Sequence, residues 1–398
     1  MSRFRRTGGV GALFVALAAA TLLCALSSPA RALPLFGRKY GLQCTTCHVA
    51  APRLNMFGMH FKQNGYRMPG AQGESPWDST AKVFPFALIG NVAYDALTSS
   101  VKDSAGNTTR TTYAAFAQRQ VEFHSAGTLG QNVTFHFDNN FAGAGGPLFS
   151  GQAFVQLDDV AKNGLMNVKA GIYDADVPYL ADSRKTTLTG YLNDRVTIPA
   201  SGLELNGISN TTWYAVGLIN SGRDTASVRA MNPGTTSFNQ LENLYGWVMK
   251  EMGPYAYSAR VYLDRQNPRK MNVSASQRMQ VDVSAYADRG RVILIPGYTY
   301  EKFQDQFAGL PDQDHTGMLE TMILLDKTNH TVLTARYEHQ YAPKSNGSPG
   351  PQDHGVGTLN LAYYINANAR FGVDWAHTSD NVRGPTSDEF QAFVWVGY

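Results

Sequence analysis

The chain is poor in cysteine, with three in 398 residues, and poor in charge, with Asp, Glu, Lys and Arg making up 16%. Exported domains stapled by disulfides carry more cysteine, which excludes a disulfide scaffold. After residue 32 no apolar run reaches 18 residues, so no transmembrane helix is encoded there. The net charge of +3 leaves no electrostatic footprint for nucleic acid. No Gly/aromatic repeat of fixed period suggests a propeller. No phosphate loop or Ser-His-Asp arrangement points to hydrolytic chemistry. What is present is 11% aromatic residues and 38 glycines. A soluble domain usually carries about 25% charged residues. Low charge without long apolar runs fits a barrel with one face to lipid and one to water.

The first 32 residues read as an export signal. Arg3, Arg5 and Arg6 precede an apolar run from about Gly11 to Leu26, and Ala30-Arg31-Ala32 forms a small-residue cleavage pattern. Cleavage is expected between Ala32 and Leu33. Cys24 follows Leu23, where a lipoprotein signal wants a small residue. The exported chain then keeps only Cys44 and Cys47.

Those two cysteines stand in Cys44-Thr45-Thr46-Cys47-His48. Two thiols at this spacing add across the vinyl groups of one haem, and the following imidazole becomes an axial ligand. A zinc site would need further ligands at zinc spacing, and a simple disulfide leaves His48 unexplained. The motif therefore predicts one covalent haem c, held by Cys44, Cys47 and His48.

The next residues predict a helix with Pro52 as its first residue and Gly65 as its stop. Leu54, Phe57, Gly58 and Phe61 share one face at helical spacing. The head, residues 33–76, is too short to bury a core alone. Haem and barrel wall are expected to complete it. Met68 and His60 are the candidate sixth ligands of the iron, with Met56 and Met59 pointing away from the aromatic stripe. A His48–Met68 pair would raise the reduction potential.

Residues 77–398 read as an antiparallel β-barrel of about 16 strands, all-β in class. Sixteen alternating segments begin near residues 83, 111, 130, 150, 165, 201, 211, 240, 255, 277, 290, 316, 331, 355, 367 and 388. Val133, Phe135 and Phe137 oppose Thr134, His136 and Asp138. Leu359, Leu361, Tyr363 and Ile365 oppose Thr358, Asn360 and Ala362. One apolar and one polar face is the pattern of a transmembrane strand. Phe390, Ala392, Val394, Val396 and Tyr398 alternate to the last residue, as in the C-terminal strands of bacterial outer-membrane proteins. Long loops are expected at Asp174 to Pro199, Gly222 to Phe238, Gln304 to Thr316 and Ala342 to Asp353. Asp95, Glu122, Asp138 and Asp374 are candidate lumen carboxylates. His124, His136, His315, His330, His339, His354 and His377 show no metal-ligand spacing and read as isolated positions.

The stretch Leu33 to Gly41, the haem motif, and Pro52-x-Leu54-Asn55-x-Phe57-Gly58-x-x-Phe61-Lys62-x-x-Gly65-Tyr66 together resemble the fused cytochrome–porins of bacterial outer membranes. The resemblance spans about 35 residues and marks Cys44 and Cys47 as attachment points and His48 as axial ligand. It implies an electron-transferring oxidoreductase in the outer membrane, with the haem head in the lumen or at its periplasmic side. Extracellular ferrous iron would be the donor. A periplasmic carrier, a cytochrome or copper protein, would be the acceptor, and membrane lipid the surround. Two alternatives stay open: another extracellular donor or acceptor, and a porin whose haem-bearing head is only a plug.

Overall fold

The computed structural model describes residues 35–68, 86–102, 107–141, 151–193, 197–221, 243–265, 277–304, 313–326, 330–343, 352–366, 369–380 and 386–397. The expected export signal, the connection from head to barrel, and Tyr398 lie outside them, as do most of the three later loops named above.

Alternation every second residue gives sixteen strands. They are β3 Phe86–Lys102, β4 Thr108–Thr128, β5 Val133–Asn140, β6 Ala153–Ala161, β7 Met166–Asp174, β8 Pro199–Ser209, β9 Thr212–Ser221 and β10 Asn243–Met252. The second half comprises β11 Tyr255–Arg265, β12 Gln277–Asp288, β13 Val292–Gln304, β14 Gln313–Leu324, β15 Thr331–Ala342, β16 Gln352–Asn366, β17 Ala369–Asp380 and β18 Thr386–Gly397. Each pairs antiparallel with its neighbour in sequence, and β18 returns to β3, with Phe390 opposite Ala96 and Val394 opposite Val92. Closure leaves no sheet edge unpaired. No helix among the described residues is long and apolar enough to cross a membrane, so any crossing is made by strands.

The two faces separate as the alternation predicts. On β16, Leu359, Leu361, Tyr363 and Ile365 are exposed on the outside, while Thr358, Asn360 and Ala362 are buried on the inside. On β18, Phe390, Val394 and Val396 face out. The outward side chains form an apolar belt, which only a lipid surround makes favourable on this scale.

One rim carries short reversals. Gly253 and Gly290 occupy positive φ there, with open space around them, in the turns after β10 and β12. The other rim carries the long connections. The expected loop after Asp174 is present, and residues 175–193 fold back into the lumen. Val177, Tyr179 and Leu180 are buried there beside Tyr245, Tyr286 and Ile293 of the wall. Ser284 donates to the Pro178 carbonyl at 2.9 Å, and the Leu192 amide donates to Glu338 at 2.8 Å.

The head also lies inside the lumen, near the short-turn rim. It comprises α1 Leu35–Tyr40, α2 Cys44–Cys47, β1 His48–Ala50, β2 Arg53–Leu54 and α3 Met56–Gln63. The helix starts later than Pro52, which lies between β1 and β2. Asn55 caps the helix instead, accepting from the Gly58 amide at 2.8 Å. Leu54 accordingly sits on β2 and packs, like Met56, against the barrel cluster, apart from Phe57 and Phe61. Gly65 does end the helix, at φ +68. The Tyr66 amide donates to Phe61 and the Gly65 amide to Lys62, a Schellman pair sealed by the Phe61 and Tyr66 rings.

Val49, Ala50 and Met59 belong to the same buried cluster as Tyr173, Trp213 and Trp247 of the wall. Burying a side chain the size of Met59 contributes about 1.5–3 kcal/mol. Thus α3 has two buried faces. One packs with Phe36 and Tyr66 of the head and with Ala87 and Ala126 of the wall; the other, carrying the methionines, docks on the larger barrel cluster.

Candidate functional site

The C-x-x-C-H segment is one helical turn followed by an extended residue. His48 leaves α2 at φ −121, ψ 139 and starts the β1–β2 ribbon, where it opposes Leu54. Cys44 and Cys47 are three residues apart on that turn, so their side chains share a face. No disulfide joins them. Burial and the neighbouring Cys44 push the Cys47 thiol up to about 11, and burial raises Cys44 as well. Such thiols are poor nucleophiles at neutral pH, which argues against thiolate catalysis. Burial lowers the pKa of His48, opposed by the hydrogen bond to the Pro52 carbonyl. That bond, at 3.2 Å, engages Nδ1, so Nε2 is the nitrogen that could meet a metal.

The helix α3 is clamped to this turn. The Asn55 amide donates to the Cys47 carbonyl at 3.0 Å, and the Asn55 side chain donates to the carbonyls of Thr45 and Thr46 at 3.3 and 3.1 Å. At Gly58 an added Cβ would collide with the Cys47 carbonyl. Glycine is required there because two backbones touch. Around the other side, Phe36 stacks on Tyr66 at 4.8 Å and meets Phe61 edge-on at 4.9 Å, and the Tyr40 hydroxyl donates to the Tyr66 carbonyl at 3.0 Å. Adjacent reduced cysteines, a histidine with its outer nitrogen held, and an aromatic surround fit a covalent haem. Cys44 and Cys47 would hold it, and His48 would ligate its iron.

The two candidate sixth ligands are placed differently. His60 faces the barrel wall, with Nε2 2.5 Å from Glu251 Oε2 and its ring 4.4 Å from Trp213. Met68 packs, partly buried, with Phe61 and Tyr66. Among the other methionines, Met59 is buried against the wall and Met56 partly so.

Residues of the wall and of the inward loop hold the head. Arg53 pairs with Glu320, donates to Tyr191 Oη at 2.9 Å and to the Tyr179 carbonyl at 2.5 Å. Tyr364 and Arg370 both donate to the Ala51 carbonyl, at 2.7 and 3.0 Å. Arg67 pairs with Asp159 at 2.6 Å, and Tyr66 Oη meets His136 Nδ1 at 2.8 Å. None of these partners was singled out by sequence, except His136 as an isolated position.

The lumen carboxylates divide. Asp95 pairs with Arg119 at 2.6 Å, and Asp374 accepts from the Thr189 amide at 3.2 Å, so it secures the inward loop. Glu122 and Asp138 instead meet histidines. His124 is the cross-strand partner of Asp138, and His136 Nε2 lies 2.9 Å from Asp138 Oδ2. His124 Nε2 lies 2.9 Å from Glu122 Oε1. His124 and His136 are therefore not isolated, contrary to the expectation from spacing. Alternation puts both on the inner face, but only the register of β4 against β5 brings them together.

Fold and site together define a sixteen-stranded porin-type barrel with a C-x-x-C-H segment packed in its lumen. No protein-family model and no curated protein sequence matches the chain. Solved structures do match its fold. OmpTdeltaL8, a loop-deletion mutant of an outer membrane protein of Vibrio cholerae, aligns with TM-score 0.56 at 10% identity, over 79% of this chain and 99% of that one. The outer membrane channel DcaP of Acinetobacter baumannii aligns with TM-score 0.55 at 13% identity, over 82% and 100%. An anion-selective porin from Comamonas acidovorans aligns with TM-score 0.54 at 14% identity, over 78% and 99%.

Proposed function

We propose that this chain is a monohaem cytochrome–porin of the bacterial outer membrane that oxidises extracellular ferrous iron and passes the electrons to a periplasmic carrier. The observation that carries the reading is the position of the C-x-x-C-H turn. It is held within the lumen, toward the short-turn rim, by buried polar contacts to the wall. In outer-membrane barrels short turns face the periplasm and long loops face out. A head at that rim is near a periplasmic acceptor, while the donor side opens to the exterior. The head and residues 175–193 meet within the lumen and narrow it, which suits electrons better than bulk solute.

A bound haem would supply a one-electron couple, taking an electron from ferrous iron and releasing it to the carrier, with ferric iron left outside. The chain's own residues do the rest. His48 is oriented by the Pro52 carbonyl, Asn55 and Gly58 hold the attachment turn rigid, and Arg53 with Glu320 fixes the head to the wall. Lumen carboxylates favour the approach of a cation.

The test is stopped-flow spectroscopy of the purified, haem-loaded protein mixed with ferrous iron. Reduction of one haem per chain, on the timescale of turnover, is expected. An unreduced haem would remove the iron reading and leave a plug or another donor. Intact mass lacking an added porphyrin, in protein from cells that mature c-type cytochromes, would remove the cytochrome reading as well.

A further inference from the structure

We propose that His124, His136 and Asp138 form a binding site for one divalent transition-metal ion on the lumen wall, beside the head. Each offers one ligand atom, and these atoms lie within 4.8 Å of one another. Bonds of about 2.0–2.2 Å to a central ion put ligand atoms about 3–3.5 Å apart, so modest side-chain rotation completes the set. Two imidazoles and a carboxylate select borderline divalent ions such as Fe2+, Co2+ or Zn2+ over Ca2+ or Mg2+. Glu122, with Oε1 2.9 Å from His124 Nε2, places a second carboxylate at the edge of the set.

Two further observations point the same way. The outer nitrogen of His136 is held, since Nδ1 meets Tyr66 Oη at 2.8 Å while Nε2 faces Asp138. Metal-ligating histidines are oriented by such outer bonds. Tyr66 adopts positive φ, an unfavourable conformation for its type, yet it is locked by this bond and by stacking on Phe36. The site is also reachable from solvent. On β4, exposure runs from Thr108 to Ala114 on both faces, narrows through Glu122 and His124, and closes at Ser125–Thr128. The cluster sits where that approach ends. Lys62 of the head lines one cavity with Thr134 and Gln152, whose amide donates to Asp138, so its ammonium opposes a cation there.

The site stands whether or not the head carries haem. That its natural occupant is ferrous iron, held next to the head, rests on the function proposed above.

Co2+ titrated into the full-length exported protein in detergent, followed by calorimetry and visible absorption, provides the test. One ion per chain is expected, with absorption typical of nitrogen and carboxylate ligands. H124A and H136A should each weaken binding at least about 100-fold, and Y66F about 10- to 100-fold. K62Q should tighten it, an effect that a merely structural cluster would not give. H339A, far from the cluster in β15, serves as the unchanged control. If an alanine variant loses its β-sheet circular dichroism, H124Q and H136Q replace it. Absence of a stoichiometric ion, or wild-type affinity retained in the histidine variants, overturns the proposal. Metal binding without haem reduction by ferrous iron would sink the iron-oxidase reading and leave this site intact.

Discussion

Arg53 of the head and Glu320 of the barrel wall form an ion pair whose side chains are 1% and 0% exposed. The two residues are 267 positions apart in the chain. The pair does not stand alone: Arg336 lies 3.7 Å from Glu320 and 2.8 Å from Glu338, and Glu338 accepts from the Leu192 amide of the inward loop. Head, wall and loop thus share one buried polar network.

Removing one member of this pair should undock the head. Breaking a buried ion pair costs about 3–5 kcal/mol, because the survivor remains buried and uncompensated. E320Q is expected to leave the barrel folded but make residues 35–68 accessible to limited proteolysis. An apolar pair, R53M with E320M, should restore much of the protection. Equal protection in E320Q and wild type would show that the network does not hold the head.

Gly58→Ala tests the backbone approach between α3 and the attachment turn. The added methyl has no room against the Cys47 carbonyl, and overpacking of this kind costs about 1–3 kcal/mol. Barrel folding should be unchanged, since the atoms nearest the added methyl, the Cys47 carbonyl and the Leu54 side chain, belong to the head. The ratio of haem absorbance to protein should fall. G58A loading haem as fully as wild type would contradict the tight packing.

The cysteines carry a pH signature in protein made without haem attachment. Cys47 has its pKa raised to about 11, so the neutral thiol persists until the pH approaches that value. At pH 8 its alkylation should run about 200-fold slower than that of an ordinary exposed thiol, and should accelerate tenfold per pH unit up to about pH 10. A rate profile with its midpoint near pH 8.5 would show the turn to be open to solvent.

Sequence alone determined the barrel and displayed the Cys44-x-x-Cys47-His48 motif. Strand alternation is a local, period-2 signal, and it was legible at Leu359 to Ile365 and at Phe390 to Val396 because lipid and lumen impose opposite demands on successive residues. Cys44-x-x-Cys47-His48 is likewise local. The helix start was misread because Pro52 is a favoured first residue, yet Asn55 also caps well and its side chain reaches the carbonyls of Thr45 and Thr46. Only the tertiary structure decided that the head lies within the lumen, that Met59 faces the wall, and that His124 meets His136 and Asp138. Those outcomes depend on strand register and on contacts between residues far apart in the chain. A shift of two residues between β4 and β5 would keep the same side chains on the inner face yet part His124 from Asp138, and the alternation within either strand does not record which of these registers is taken.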